Sequence, residues 1–232
     1  MITVLGPTAC GKTHYATRLA AEIDGEIISA DSRQLFRGMD IGTGKDLDEY
    51  TINGKQIPYH LIDILEAGEL YSAFQFVSDF HTAYNDIVTR KKTPILCGGT
   101  GLYLSAILQH YDFQKDHPDF LFPKVPCEKI LAIFPPRDVV RNRITQRLKA
   151  RLNAGLIEEV QQLMKQGVTV ERLFIYGLEY KFVTLYLLGK ITKEELFEQL
   201  NIAIHQFAKR QMTWFRKMQR EGVEMTIVES LS

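Results

Sequence analysis

The sequence predicts an α/β fold, a parallel sheet with helices packed on its faces. Short apolar runs alternate with stretches of helical spacing through the first 108 residues. Two of those runs, 2–5 and 94–97, end directly in glycine-rich loops that lead into helical spacing. In such sheets ligands bind at the carboxyl ends of the strands, where loops of this kind lie. The chain has 232 residues and is 45% hydrophobic, enough to bury a sizeable core in one domain.

Taken in order, Ile2-Thr3-Val4-Leu5 reads as the first strand, 12–23 as the first helix and 26–30 as the second strand. A long loop follows, then a helix over 73–90, a strand over 93–97 and a helix over 102–108. Residues 109–127 hold His110, Asp112, Asp116, Pro118, Pro123 and Pro126 and read as an irregular excursion. A strand over 129–134 is stopped by Pro135-Pro136. The remainder is mainly helical, over 137–151, 156–164, 171–187, 193–207 and 208–220, with Gly155, Gly167 and Gly189 as breaks and a last short strand over 226–228. A single domain over 1–232 is expected. No run of about 18 apolar residues is present, and the first strand begins too early to leave room for a leader, so a cytoplasmic location with no membrane contact is expected. Cys10, Cys97 and Cys127 are too scattered for a metal cluster or a disulfide framework and read as reduced thiols, with Cys10 a small filler.

The net charge of zero conceals an asymmetry. Residues 1–128 carry 11 Lys and Arg against 17 Asp and Glu, and residues 129–232 carry 17 against 11. Arg143, Arg147 and Arg151 stand four apart and share one helix face, with Asp138 the lone acid in that helix. A solvated face is the ordinary meaning of such a series, but the scarcity of acids favours a phosphate-facing surface.

Chemistry concentrates first in Gly6-Pro7-Thr8-Ala9-Cys10-Gly11-Lys12-Thr13. The glycines let successive backbone N–H groups turn toward a phosphate, and the following helix adds its partially positive N-terminus. Lys12 is placed to bridge phosphate oxygens and the Thr13 hydroxyl to sit on Mg²⁺, the pattern of a complete P-loop. Asp31-Ser32-Arg33-Gln34 follows the second strand directly and projects beside that loop. Its carboxylate can accept a proton, hold Mg²⁺ through water or cap the next turn. A P-loop motor or switch carries an acid at the end of a buried strand to hold Mg²⁺. Here the run Ile95-Leu96 ends in glycines, which leaves a small-molecule kinase or a diphosphate-binding transferase.

Five ordered blocks narrow the choice: Gly6 to Thr13; Asp31-Ser32-Arg33-Gln34 with Arg37-Gly38-Met39-Asp40-Ile41-Gly42-Thr43; His60-Leu61-Ile62-Asp63; Gly98-Gly99-Thr100-Gly101-Leu102-Tyr103-Leu104; and Ala208-Lys209-Arg210-Gln211-Met212-Thr213-Trp214-Phe215. In order and wording they resemble the tRNA dimethylallyltransferase (tRNA isopentenyltransferase) family, over residues 2 to about 217. The resemblance implies a P-loop NTPase-like sheet that transfers a dimethylallyl group from dimethylallyl diphosphate to N6 of the adenosine beside the anticodon of tRNA. It implies Asp31 as the base, Thr100 near the reacting groups, and Ser32 and Gln34, with Arg33 between them, on the extruded adenosine. Gly6, Pro7, Thr8, Ala9, Cys10, Gly11, Lys12 and Thr13 would bind the diphosphate, Arg210 would help neutralise it and Thr13 would carry Mg²⁺. His60 and Asp63 read as loop-ordering residues and Trp214 as packing. The region 137–220 would face the anticodon stem-loop of tRNA, and a monomer is expected.

One departure bears on the acceptor. The family pattern has a helical insertion after the Gly-Gly-Thr-Gly block that clasps the anticodon stem, whereas here residues 109–127 read as a shortened remnant. Free AMP, ADP or ATP as acceptor, as in adenylate isopentenyltransferases, is therefore the alternative, followed by a non-catalytic paralogue that binds tRNA or nucleotide and by a nucleotide kinase.

Overall fold

A computed structural model describes residues 1–113, 116–117 and 120–229. The chain runs β1 (Ile2–Leu5), α1 (Lys12–Ile23), β2 (Gly25–Ala30), a 3₁₀ turn (Leu47–Tyr50), β3 (Thr51–Ile52), β4 (Lys55–Gln56), β5 (Tyr59–His60), α2 (Ala73–Thr89), β6 (Thr93–Gly98) and α3 (Gly101–Leu108). It continues through β7 (Lys129–Ile133), α4 (Arg137–Asn153), α5 (Leu156–Lys165), α6 (Val170–Tyr176), α7 (Leu178–Leu187), α8 (Lys193–Arg220) and β8 (Thr226–Val228). Six strands form one sheet in the order β5-β2-β6-β1-β7-β8, every neighbouring pair parallel. The expected α/β architecture is thus present. The central strands β2 and β6 are buried along nearly their whole length, which is why they read as short apolar runs without alternation.

Register places the site. Gly98 stands opposite both Ala30 and Leu5, and Leu5 stands opposite Ala132, so the carboxyl ends of β2, β6, β1 and β7 lie along one line. The residues that follow, Asp31, Gly99 and Gly6, therefore leave the sheet side by side. Gly98 must be glycine, because a Cβ there would meet the Ala30 carbonyl oxygen at 2.3 Å.

Three local differences from the sequence reading have simple causes. The long loop after β2 contains the β3–β4 hairpin and adds β5 to the sheet edge, elements of two residues each that leave no periodic signal. The expected helix over 171–187 is two helices, broken at Gly177 with φ 149°. The segments 193–207 and 208–220 are one helix of 28 residues, opened by a capping box between Thr192 and Glu195 and uninterrupted by glycine or proline. Residues 109–127, where described, hold no helix or strand once α3 has ended; 114, 115, 118 and 119 lie outside the described residues.

His60 and Asp63 order the chain around this edge. His60 Nε2 lies 2.8 Å from Oε2 of Glu26, a buried β2 carboxylate that Arg90 also grips. The hydrogen bonds from Arg90, seconded by His60, hold the Glu26 carboxyl below the usual carboxylate range. Asp63 pairs with Lys45, whose buried ammonium also donates to the Phe36 carbonyl at 2.6 Å and to Asp40 at 2.7 Å. Trp214 is a packing residue: its Nε1 donates to Ser105 Oγ at 2.8 Å, and its ring covers Gly101 so closely that a Cβ there would lie 2.5 Å from Cγ.

Cys10 and Cys97 are fully enclosed and Cys127 is half-buried. Burial pushes the Cys10 thiol up and carries Cys97 up to about 12, against the smaller opposing pull of Lys12. Brief treatment of the native protein with iodoacetamide at pH 8 should add one carbamidomethyl group, on Cys127, and treatment in denaturant should add three, as intact mass will report. Rapid native labelling of Cys10 would contradict its reading as an inert filler.

Candidate active site

The P-loop is built tightly between β1 and α1. A Cβ on Gly6 would lie 2.6 Å from Cys10 Sγ and from the Ile133 carbonyl oxygen, so this position is closed to any side chain. Ala9 and Gly11 take left-handed backbone, φ 60° and 91°, and Gly11 opens α1 without a side-chain cap. The first N–H groups of α1 therefore stay available to a ligand. Neither the Lys12 ammonium nor the Thr13 hydroxyl has a hydrogen-bond or ion-pair partner among the described residues. Both line a polar cleft with Thr8, Asp31, Arg33, Gln34, Thr43, Asp46, Glu49, Arg147 and Gln211.

Two contacts hold the loop from the carboxyl-terminal half. Gln211, buried on α8, accepts from the Thr8 N–H at 2.8 Å and donates to the Gly99 carbonyl at 2.8 Å, joining the two glycine loops. Arg147 donates to Thr8 Oγ1 at 2.7 Å and Arg143 to the Cys10 carbonyl at 3.2 Å. The face shared by Arg143, Arg147 and Arg151 thus turns onto the P-loop and into the protein: Arg143 is exposed, Arg147 half-buried and Arg151 buried. The sequence spacing had grouped these arginines. It could not say which way they point.

Across the cleft, Asp31 Oδ1 accepts from the Arg33 N–H at 3.1 Å, while Oδ2 accepts no hydrogen bond among the described residues. Thr100 fixes the turn beside it, its Oγ1 accepting from the Ser32 N–H at 3.0 Å and lying 3.3 Å from Ser32 Oγ, and its own N–H bonding the Ala30 carbonyl at 3.1 Å. Gln34 is buried and engaged at both ends, accepting from Ser29 Oγ and donating to the Gly44 carbonyl, each at 3.1 Å. The Arg33 guanidinium turns away to Glu179 at 2.9 Å.

Of the residues expected around the phosphate and the base, Thr8, Ala9, Gly11, Lys12, Thr13, Asp31, Arg33 and Gln34 line the cleft, Ser32 and Thr100 form the turn beside it, and Gly6, Pro7 and the buried Cys10 shape the loop from behind. Arg210 does not line the cleft; it is exposed on α8, its guanidinium 6.0 Å from the Phe207 ring, and its neighbour Gln211 is the residue that turns inward. Asp46 and Glu49, which carried no signal in the sequence, line the cleft with Asp31 and Lys12. Burial, with Asp46 nearby, pushes the Glu49 carboxyl up, against smaller pulls from His14, Arg147 and Lys12.

Comparison with known proteins gives the family. The family profile described as IPP transferase matches residues 34–128 and 122–218. The chain is 44% identical to tRNA dimethylallyltransferase 1 of Azobacteroides pseudotrichonymphae, over 97% of this chain and 91% of that protein. It is 45% identical to tRNA dimethylallyltransferase 2 of Porphyromonas gingivalis strain W83, over 100% and 94%. These alignments run over 280 and 284 positions, more than the 232 residues here, so the relatives hold residues that this chain lacks. Among solved structures, the full-length tRNA isopentenylpyrophosphate transferase of Bacillus halodurans superposes with a TM-score of 0.82 at 28% identity, over 98% of this chain and 89% of that one. Matched along most of its length in both sequence and fold, the chain belongs to the tRNA dimethylallyltransferase (IPP transferase) family.

Proposed function

We propose that this protein transfers the dimethylallyl group of dimethylallyl diphosphate to N6 of an adenosine next to the anticodon of tRNA, with diphosphate as the second product. The observation that carries the reading is the meeting of two unlike chemistries in one cleft: a P-loop with an uncommitted Lys12, and an Asp31 carboxylate with one free oxygen. The N6–C1 bond forms as the C1–O bond to diphosphate breaks, and the N6 proton passes to Asp31. Negative charge develops on the leaving diphosphate, where Lys12, Arg147 and the free N–H groups at the start of α1 face it without having to reorganise. Thr100 holds the base's loop through Ser32. The Gln34 amide, oriented by Ser29 and Gly44, is suited to read a polar base edge. An adenine in a stacked loop must be extruded to reach this depth.

Mg²⁺ fits this donor set through Thr13 together with the diphosphate. No group of three or more His, Cys, Asp or Glu among the described residues could hold a metal by itself. Thr13 would supply one oxygen and the diphosphate others, the mode in which Mg²⁺ retains several waters. Bound so, the ion would offset charge on the leaving group.

For the acceptor, the exposed cations are suited to a polyanion longer than a mononucleotide. Lys209, Arg210, Arg216, Lys217 and Arg220 on α8 and Arg137, Arg141 and Lys149 on α4 all face solvent, so we assign 137–220 to the tRNA side and Arg210 to tRNA phosphate in place of diphosphate. The two stretches of the family match meet at 122–128, inside the irregular excursion, and we place there the segment that relatives hold in addition. No helix among the described residues is long and apolar enough to cross a membrane, in keeping with a tRNA-facing enzyme. We expect it to act as a monomer in the cytoplasm.

Labelled dimethylallyl diphosphate offered with unmodified tRNA bearing adenosine 3′ to an A-ending anticodon, or with AMP, should label the tRNA and not the AMP. The KM for tRNA should climb steeply with salt. Label in AMP alone would reassign the acceptor, ADP formed from ATP would favour a kinase, and binding of tRNA without diphosphate release would favour a non-catalytic paralogue.

Two substitutions probe the residues. Lys12→Ala should lower the transfer rate by about 10²-fold, the cost of one lost charge-stabilising donor, with an unchanged circular dichroism spectrum. Asp31→Asn keeps shape but not basicity, and should lower single-turnover transfer by about 10² to 10⁴ while tRNA binding stays within a few-fold. Near-normal turnover of Asp31→Asn would leave Asp31 a structural cap.

A further inference from the structure

The Asp31 carboxylate has a cation for a close neighbour, and something must keep that cation from claiming it. Arg33 Nε lies 3.9 Å from Asp31 Oδ1, beyond hydrogen-bond reach, while Arg33 Nη1 donates to Glu179 Oε2 at 2.9 Å. Glu179 is 3% exposed and stands at the start of α7, its other oxygen 3.5 Å from Arg151 Nη1. The Arg33 side chain is caged: its guanidinium carbon lies 5.2 Å from the Phe207 ring centre, and a Cβ on Gly177 would come within 3.0 Å of its Cδ. A guanidinium is a planar fork that prefers to grip one carboxylate with two N–H groups. Here the fork is turned so that its outer nitrogen serves Glu179, and Asp31 keeps one oxygen free.

We infer that Glu179 is a positioning residue for the transfer: by tethering the Arg33 guanidinium at a distance, it holds the Asp31 carboxylate in place as a proton acceptor and prevents a bidentate Arg33–Asp31 pair. Nothing in the sequence blocks pointed to it, because Glu179 lies 148 positions beyond Asp31 and meets it only through Arg33.

The inference rests on Asp31 as the base of the proposed transfer, so wild-type protein and Asp31→Asn are assayed beside the new variants. Glu179→Gln releases the fork. Its single-turnover transfer rate at saturating substrates should fall about tenfold, part of the 10² to 10⁴ that a general base supplies, while KM for tRNA and for dimethylallyl diphosphate stays within twofold. Glu179→Asp keeps the charge and should restore most of the rate. In an Arg33→Gln background the Glu179→Gln change should cost the transfer rate much less, because Arg33 is gone and only the contact with Arg151 is lost. Should Glu179→Gln fail to fold, Arg33→Lys gives the reading: a point charge cannot fork toward Glu179 while standing off Asp31, so its rate should also fall with KM unchanged. A wild-type rate in Glu179→Gln or Arg33→Lys, a loss that appears in KM, or an equal loss with and without Arg33 would overturn the inference and leave the transfer reaction standing. A wild-type protein without transfer activity would remove both, whereas an active Asp31→Asn would remove this inference and the role of Asp31 as base while leaving the transfer standing.

Discussion

Everything in the cleft depends on four parallel strands ending together. Because Leu5, Ala30, Gly98 and Ala132 lie in register, three unrelated loops leave the sheet within reach of one another. The close packing that results leaves no room for side chains at Gly6, Gly98 and Gly99, where a Cβ would meet neighbouring atoms at 3.0 Å or less. The second glycine loop and the carboxylate loop are then stitched by the Thr100 N–H on the Ala30 carbonyl and the Ser32 N–H on Thr100 Oγ1, and Gln211 ties the second glycine loop to the phosphate loop. A site built this way can hold a donor and an acceptor at a fixed spacing, as a transfer reaction needs.

The helical half closes the cleft from above. On α4 the apolar stripe Val140, Ile144 and Leu148 packs into the core, and the arginine stripe 143, 147 and 151 borders it. Seating the one necessarily brings the other inward, which explains the graded burial of the three arginines and brings Arg147 to the P-loop. On α8 the same logic selects Gln211 over Arg210. A neutral amide can be buried with both ends satisfied, as it is by Thr8 and Gly99, whereas a guanidinium in that position would bring an uncompensated charge. Cations therefore stand at the cleft wall and on the outer surface, and the joint between the two glycine loops is uncharged.

α7 serves both sides of the Asp31 turn. Glu179 reaches Arg33, and the adjacent Tyr180 donates to Glu159 Oε1 at 2.8 Å. Glu159 in turn accepts from the N–H groups of Asp40, Ile41 and Gly42 at 2.9, 2.7 and 3.0 Å, which fixes the loop whose Gly44 carbonyl orients Gln34. Gly177, where α6 gives way to α7, leaves room for Arg33, since a Cβ there would lie 3.0 Å from the Arg33 Cδ.

By itself the sequence determined the glycine-rich loop after the first strand, the alternation of longer strands and helices through the first half, the turn at Asp31 and the family resemblance, because each rests on short-range backbone requirements written in neighbouring residues. The family match and the parallel sheet agree with the family and the fold class so read. What only the tertiary structure decided is direction and partnership: that Arg147 faces the P-loop, that Gln211 and not Arg210 enters the cleft, that Asp46 and Glu49 line it, and that Glu179 pairs with Arg33. The physical reason is that a helix's rotation about its axis is fixed by the packing of its apolar stripe against distant elements. Contacts across 100 or more residues, such as Thr8 with Arg147 or Gln211, leave no trace in local spacing.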